Sequence, residues 1–316
     1  MEERRVSRKP TEEFTTSRRD FIALMSAAGV TGLGPTLSLA QEQMPLRPIP
    51  ATGEMLPVVG LGSSKVVAQV ATAGTEPLAA VLRALVASGG RVVDTWPRDP
   101  ENDAGFGRVL SEPDLRDALF VTSKIDETGK EAGIEQFRRT QQLYGRETID
   151  LVQIFQLIDL DVQWENLKAL KAEGHARYIG VTVSEYNLYE QLEEFLGRET
   201  PDFVQMNYSV TERRAEERLL PLAEDMGLAV LLNRPFMNGS YFRRLEGQPL
   251  PAWAAEFDCE SWAQFSLKYI LAHPTVTCVL TETSNPHHME ENARAPHGRM
   301  PDAATRARMR EYIDQI

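Results

Sequence analysis

Short apolar runs alternate with longer segments of helical period along most of this chain. The run Leu151-Val152-Gln153-Ile154-Phe155 is typical of a strand that is buried on both faces of a parallel sheet. The longer segments place apolar residues on one stripe, as Trp262, Phe265 and Tyr269 do. The pattern therefore predicts eight successive units of a strand followed by a helix.

The order of these units selects the fold class. The predicted strands span residues 58–62, 91–95, 119–124, 151–156, 178–183, 203–207, 229–232 and 276–280. The predicted helices span residues 76–88, 102–111, 132–144, 164–171, 188–196, 215–226, 261–272 and 287–295, with a terminal helix at 303–313. Eight right-handed units of this length close most naturally into a single-domain α/β fold, the (β/α)8 TIM barrel. The alternative is an open doubly wound sheet, whose Gly-x-Gly-x-x-Gly fingerprint is absent after the first strand, where Gly60-Leu61-Gly62-Ser63-Ser64-Lys65 stands.

The N-terminal segment has the features of an export signal. Ser17-Arg18-Arg19-Asp20-Phe21-Ile22 places two arginines ahead of a mildly apolar run, and Ser38-Leu39-Ala40 supplies small residues for a signal peptidase. We expect a twin-arginine signal peptide at residues 1–40 and a barrel at 41–316, exported to the periplasm or another extracytoplasmic space and not embedded in a membrane after cleavage. The alternative is an Arg-rich disordered terminus beside a weak helix.

Composition excludes several classes of partner. The 316 residues carry a formal net charge of −12 at pH 7 without a basic stripe, so a nucleic acid partner is not expected. Cys259 and Cys278 are too few for a disulfide scaffold and resemble small core residues. The five histidines lack the spacing of a ligand set, so we expect no metal site.

Polar residues follow the predicted strands at the barrel face where active sites lie. They are Ser63, Ser64, Asp94, Thr95, Lys124, Gln156, Thr182, Gln205, Asn207, Asn233, Arg234, Glu282, Thr283 and Ser284. Asp94 and Lys124 come from adjacent strands at the same level, which predicts a buried ion pair in the barrel mouth. From the residues alone, such a pair either serves catalysis or only closes the rim.

Several ordered motifs resemble those of the aldo-keto reductases over nearly the whole chain after residue 40. They are Gly60-Leu61-Gly62, Val93-Asp94-Thr95, Thr122-Ser123-Lys124, Ile149-Asp150-Leu151, Ile179-Gly180-Val181-Thr182, Gln205-Met206-Asn207-Tyr208 and the stretch from Ala272-His273-Pro274 to Glu291-Asn292. The resemblance implies a barrel enzyme that passes a hydride from NAD(P)H to a carbonyl. It also implies a catalytic group of Asp, Lys, Tyr and His, in which Tyr protonates the carbonyl oxygen.

Only half of that catalytic group matches. Asp94 and Lys124 occupy the Asp and Lys positions, whereas Asp99 stands at the Tyr position and Phe155 at the His position. We expect Asp99, beside Lys124, to be ionised near pH 7 and too short to reach the place of the phenol oxygen. Carbonyl reduction is then impaired by about 10²–10⁴-fold, the contribution of positioned acid–base catalysis.

The cofactor end of the resemblance is also altered. It implies NADP or NAD binding by Ser63, Thr182, Gln205, Asn233, Arg234, Ser284, Glu291 and Asn292. Glu282 and Asn285 stand near the expected place of a 2′-phosphate, where they weaken an NADPH site. Asn233-Arg234 replaces an aromatic that stacks on nicotinamide, and the Arg can stack in part or hold the pyrophosphate.

Three functions remain open from the sequence. The leading hypothesis is an impaired NAD(P)H-linked oxidoreductase for a small carbonyl or alcohol, as a monomer or a homo-oligomer. The second is an inactive barrel that binds a small molecule or a protein. The third uses Asp94, Asp99 and Glu101 as a carboxylate group acting on a sugar. The stretch Asp99-Pro100-Glu101-Asn102-Asp103 resembles the start of a calcium loop, although a solvated acidic loop is the favoured interpretation.

Overall fold

An antiparallel hairpin precedes the barrel in the computed structural model, which describes residues 43–62, 65–95 and 97–316, with Lys65 as backbone only. Its strands are β1 (Leu46–Pro48) and β2 (Met55–Pro57), paired in the register Arg47 to Leu56. The sequence did not predict this hairpin, because three-residue strands are too short to show a period. The export signal predicted at 1–40 lies outside the described residues.

Eight parallel strands of the described chain close into a barrel. They are β3 (Val59–Leu61), β4 (Val92–Val93), β5 (Phe120–Ile125), β6 (Ile149–Phe155), β7 (Ala176–Thr182), β8 (Phe203–Asn207), β9 (Ala229–Asn233) and β10 (Cys278–Thr281). Neighbours in the chain pair with one another, and β10 closes the ring by pairing with both β3 and β9. The predicted (β/α)8 barrel is thus confirmed, and the doubly wound alternative is wrong.

Helices surround the barrel. Those of the described chain are α1 (Lys65–Ala68), α2 (Val70–Ala73), α3 (Glu76–Ala87), α4 (Pro100–Leu110), α5 (Lys130–Tyr144), α6 (Leu160–Ala172), α7 (Tyr189–Leu196), α8 (Leu219–Asp225), α9 (Ser240–Arg244), α10 (Trp262–Leu271), α11 (Pro286–Arg294) and α12 (Ala303–Gln315). Short 3₁₀ turns lie at Tyr186–Leu188, Arg214–Glu216, Met237–Gly239 and Ala252–Phe257. Every predicted helix is present in part.

Helix ends differ from prediction where capping residues decide them. The helix predicted from residue 102 begins at Pro100, because Asp99 accepts a hydrogen bond from the Asn102 amide and proline suits a first helical turn. Ser261 caps α10 in the same way through Gln264. The segment predicted as one helix at 215–226 divides into a 3₁₀ turn and α8.

The barrel interior is filled from its N-terminal end by large apolar side chains. Ile49 and Leu56 of the hairpin segment are completely buried there, in one cluster with Phe120, Tyr178 and Phe203 of the strands. Gly180 lets β7 and β8 approach, since a Cβ at that position would lie 2.3 Å from the Phe203 carbonyl oxygen. This end of the barrel is therefore packed shut and forms no entrance.

A cluster of ion pairs and hydrogen bonds covers the same end of the barrel. Glu54 accepts from Arg91 (2.8 Å), from Arg177 and from the Tyr178 hydroxyl (2.7 Å). Asp150 accepts from Arg177 Nη1 at 2.6 Å. We call these five residues, together with the hairpin, Phe120 and Phe203, the closed end of the barrel; the end of a barrel opposite its active site contributes mainly to stability.

The two cysteines are free and buried, as predicted. Cys278 lies in the barrel wall, and burial raises the pKa of its thiol. Burial likewise raises the pKa of Cys259 to about 11. Across the described ranges, no helix has the length and apolar character to cross a bilayer.

Candidate active site

A cavity of about 620 Å³ opens at the C-terminal ends of the barrel strands, opposite the closed end. We call it the open end. Its lining residues come from all eight barrel strands or from the segments that follow them: Gly62, Asp94, Lys124, Phe155, Thr182, Ser184, Gln205, Asn233, Arg234, Pro235, Phe236, Asn238, Gly239, Phe242, Leu280, Glu282, Thr283 and Ser284. Its volume is typical of a small-molecule site, and its lining combines aromatic and aliphatic side chains with a larger number of polar ones.

The predicted ion pair lies at the base of this cavity. Lys124 Nζ donates to Asp94 Oδ1 at 2.7 Å and to the Thr95 carbonyl at 2.9 Å, and both charged side chains are 3% exposed. Burial lowers the pKa of Lys124, and the charge of Asp94 opposes that shift. Asp94 follows β4 and Lys124 lies within β5, so paired neighbouring strands hold the two groups at one height.

Further donors fix the Asp94 carboxylate. Thr122 Oγ1 donates to Oδ1 at 2.5 Å, and Gln205 Nε2 donates to Oδ2 at 3.3 Å. Because one carboxylate receives three side-chain donors, its orientation is determined by β5 and β8 as well as by its own strand. Lys124 is thereby held in one position at the cavity base.

Two buried acceptors on the cavity wall have no hydrogen-bond partner within the described part of the chain. Gln205 Oε1 and Asn233 Oδ1 are each enclosed without a hydrogen bond. A buried polar atom left unpaired costs about 1–3 kcal/mol, so natural sites keep such atoms for a reason. Both residues line the cavity, which makes them acceptors for an N–H donor of a bound molecule.

Arg234 supplies positive charge beside these acceptors. It follows β9 with a φ of 56°, in the left-handed region, and its Nη1 lies 3.4 Å from the Ser184 carbonyl oxygen. Over the described ranges no carboxylate forms an ion pair with it, in contrast to the arginines of the closed end. An unpaired guanidinium on a cavity wall is suited to an anionic group.

Apolar side chains form the remaining wall. Phe155 ends β6, and Phe236, Phe242 and Leu280 line the other side. Phe242 is 41% exposed and in contact with the Phe236 ring at 4.9 Å between centroids. The sequence prediction did not include Phe236, Phe242 or Ser184, although Ser184 follows a predicted strand by one residue.

Asp99 does not take part in the cavity. Its carboxylate accepts from the amide and from the side-chain Nδ2 of Asn102, at 3.0 and 2.5 Å, at the start of α4. These hydrogen bonds lower the pKa of the exposed Asp99. We expected Lys124 to cause that shift, and this was wrong: helix capping turns the carboxylate toward Asn102.

The acidic stretch that follows is part of a helix. Residues 100–103 form the first turn of α4, and Asp103 is 2% exposed, so the predicted solvated loop was wrong. Burial raises the pKa of Asp103 to about 6. Asp99 and Glu101 are exposed and do not line the cavity that contains Asp94. The three carboxylates of the sugar hypothesis therefore do not share one site.

The predicted cofactor residues fall into two sets. Thr182, Gln205, Asn233, Arg234 and Ser284 line the cavity, with Glu282 at its exposed rim. The others lie on or before α11 and outside the lining: Asn285, Glu291 and Asn292. Asn285 caps α11 by accepting from the His287 amide at 3.0 Å. Ser63 lies outside the described residues.

Comparison with known proteins identifies the family. The model of the aldo/keto reductase family matches residues 58–307. The chain belongs to this family.

Solved members of the family share the fold at low sequence identity. An aldo-keto reductase from Klebsiella pneumoniae in complex with NADPH has a TM-score of 0.70 at 22% identity, covering 83% of this chain and 92% of that one. The holo form of a Bacillus halodurans aldo-keto reductase has a TM-score of 0.68 at 21% identity, covering 86% and 96%. A Bombyx mori member in complex with NADP has a TM-score of 0.67 at 20% identity, covering 86% and 92%.

A curated relative matches over part of its length. It is the uncharacterized oxidoreductase YqkF of Bacillus subtilis, which is 25% identical over 165 residues. The match spans 45% of this chain and 51% of the relative, about half of each protein. It agrees with the family assignment and adds no substrate.

Proposed function

We propose that this protein is a NAD(P)H-linked oxidoreductase that converts a small carbonyl compound and its alcohol into one another. The observation that carries the proposal is the buried Asp94–Lys124 pair at the base of a 620 Å³ cavity. The family and the NADPH complex of the Klebsiella member support the cofactor class.

The residues of the open end fit a nicotinamide dinucleotide. Gln205 Oε1 and Asn233 Oδ1 are the unpartnered acceptors that a carboxamide N–H group would satisfy. Arg234 would hold an anionic part of the cofactor, such as its pyrophosphate. When bound, the reduced nicotinamide supplies a hydride to the carbonyl carbon.

Charge at the rim favours NADH over NADPH. Glu282 is exposed beside Ser284 at the entrance, and Asn285 uses its side chain to cap α11. A carboxylate near a 2′-phosphate raises the free energy of the phosphorylated cofactor and leaves the other one unaffected. We therefore propose a weakened 2′-phosphate site.

We propose that turnover is slow. Neither a tyrosine nor a histidine lines the cavity in the described part of the chain, and Phe155 occupies the wall where the family resemblance places a histidine. The reaction lacks the phenolic acid and the polar ring that orients the substrate, so we expect a rate about 10²–10⁴-fold below that of an intact catalytic group.

Titration with NADH and NADPH tests the cofactor assignment. We expect the protein's tryptophan fluorescence to change on addition of either compound, with tighter binding of NADH, and native mass spectrometry to show one dinucleotide per chain. Absence of both signals at millimolar cofactor would refute the proposal.

An inactive barrel that binds a small molecule or a protein is the second candidate. The observation in its favour is the place of Asp99, which serves as a helix cap outside the cavity. NADH oxidation that depends on an added aldehyde and is lost in Lys124→Met would exclude it. Cofactor binding without any such oxidation would favour it.

We also propose export through the twin-arginine pathway. The support is the order of Arg18-Arg19, a mildly apolar run and Ser38-Leu39-Ala40 in the sequence. A chain with Arg18→Lys and Arg19→Lys should stay in the cytoplasm with its leader attached, while the parent chain is recovered outside it. Equal export of both chains would contradict this assignment.

A further inference from the structure

We propose that Lys124 itself donates the proton to the carbonyl oxygen during reduction. This inference rests on the proposed function and assigns a role that the Lys of an intact catalytic group does not have, since there it acts on a tyrosine. The cavity of this chain lacks that phenol, and its base presents an ammonium group directly.

The hydrogen bonds of Lys124 leave one proton available. An ammonium group has three N–H donors. One points to Asp94 Oδ1 at 2.7 Å and a second to the Thr95 carbonyl oxygen at 2.9 Å. The third has no acceptor among the described residues, and Lys124 lines the cavity. A carbonyl oxygen at the cavity base would supply that acceptor.

The other groups around the cavity are poor alternatives as acids. Asp94 receives donors from Lys124, Thr122 and Gln205, as a carboxylate does. Glu282 lies at the exposed rim, and Arg234 carries a guanidinium, which is a poor general acid. Thr182, Ser184, Thr283 and Ser284 carry hydroxyls, which are much weaker acids.

The environment suits this role energetically. Burial destabilises the charged form of Lys124, so its proton is easier to remove than that of a surface lysine, while Asp94 keeps it bound until the reaction. The carbonyl oxygen takes one proton from Nζ as its carbon receives the hydride. The products are the alcohol, the oxidised cofactor and a neutral amine, and the amine regains a proton from solvent water.

Two substitutions separate donation from charge. Lys124→Arg keeps a positive charge against Asp94 but removes a transferable proton, because guanidinium stays protonated. With NADH and 4-nitrobenzaldehyde as the probe, we expect both Lys124→Arg and Lys124→Met to lose about 10²–10⁴-fold in kcat. Rescue by Lys124→Arg to within tenfold of the parent chain would overturn the inference in favour of a purely electrostatic role.

A matched control addresses Asp99, the carboxyl group that the family resemblance places at the position of the catalytic tyrosine. Asp99→Asn keeps an oxygen that accepts from the Asn102 amide, so helix α4 retains its cap. We expect this variant to keep the parent rate. A loss beyond tenfold would assign proton transfer to Asp99 and overturn the role of Lys124.

A measurement without cofactor provides the second readout. Competitive acetylation with acetic anhydride, followed by mass spectrometry, reports the pH at which each amine becomes free. Lys124 should react at lower pH than surface Lys168, whose pKa is raised by its hydrogen bond to Glu165. Reaction at higher pH than Lys168 would overturn the inference.

The outcomes distinguish this inference from the proposed function. Absence of NADH and NADPH binding refutes the function itself. Cofactor binding with aldehyde reduction that Lys124→Arg retains refutes only the role of Lys124. Cofactor binding without any reduction of the activated aldehyde also overturns that role, because an accessible donor predicts turnover.

Discussion

The two ends of the barrel treat polar groups in opposite ways. At the closed end Glu54 is bonded to Arg91, Arg177 and Tyr178, and the hairpin covers the interior. At the open end Gln205 Oε1 and Asn233 Oδ1 have no partner, and Arg234 carries no ion pair within the described chain. Glu54 at the closed end thus has its hydrogen-bond partners within the protein, whereas Gln205 Oε1 and Asn233 Oδ1 at the open end have none among the described residues.

This difference indicates which polar atoms can gain hydrogen bonds when a ligand binds. Polar atoms that are already paired can only lose interactions when a molecule approaches, whereas unpaired buried atoms gain them. Substitutions at the closed end should therefore change stability, and those at the open end should change ligand affinity. The following predictions test that division, beginning with the largest effect.

Removing an aromatic ring from the closed end should destabilise the fold most. Phe203 is completely buried beside Phe120 and Tyr178, so Phe203→Ala should lower the free energy of unfolding by about 3–5 kcal/mol. Phe242→Ala at the open end removes a ring that is 41% exposed and should cost less than about 1 kcal/mol. Urea denaturation of both variants measures the contrast, and equal losses would contradict it.

Neutralising Glu54 should cost about 1–2 kcal/mol in a pH-dependent way. Burial opposes its ionisation, but hydrogen bonds from Tyr178 and Arg91 outweigh burial and lower its pKa. The resulting stabilisation is complete above the unfolded pKa of about 4.3 and disappears as pH falls through the lower folded value. Glu54→Gln should therefore be less stable than the parent chain at pH 7 and approach it at pH 3. An equal difference in stability between the two chains at pH 7 and pH 3 would contradict a stabilising role for the ionised Glu54.

Removing the guanidinium of the open end should weaken cofactor binding about tenfold, or about 1.4 kcal/mol. We expect Arg234→Met to raise the Kd for NADH in fluorescence titrations while its free energy of unfolding stays within about 0.5 kcal/mol. Arg91→Met is the counterpart at the closed end. It should show the reverse, with lower stability and unchanged affinity.

The smallest effect should come from the rim. Glu282→Gln removes one exposed negative charge, so the Kd for NADPH should fall about threefold at low salt while that for NADH stays constant. The gain should shrink as ionic strength rises to about 1 M. An equal change for both cofactors would place Glu282 away from the 2′-phosphate.

Hydrophobic period predicted the barrel because its eight strands are buried almost throughout, with Arg177 of β7 as the exposed position. The pair of Asp94 and Lys124 followed from the same pattern, since strand order and strand ends determine which side chains meet. The hairpin was missed because its pairing and its packing on the barrel interior are tertiary contacts. Three residues per strand leave no period in the sequence.

The place of Asp99 shows what one-dimensional spacing cannot supply. Its position relative to Asp94 predicted that the Asp99 carboxyl group lies beside Lys124. Local hydrogen bonds at the start of α4 instead determine its orientation. An aspartate directly before a proline and three residues ahead of an asparagine caps a helix, and its hydrogen bonds with Asn102 hold it there. The aromatic wall of Phe236 and Phe242 was likewise not predicted, because the segment after β9 shows neither the two-residue period of a strand nor the 3.6-residue period of a helix.

The buried thiols of Cys259 and Cys278 make the fold independent of redox conditions. Both are free and enclosed, and burial raises the pKa of each thiol, so the native structure depends on no disulfide between them. Such a chain can complete its folding among reductants and persist among oxidants without chemical maturation. We expect its melting temperature to be the same with and without dithiothreitol.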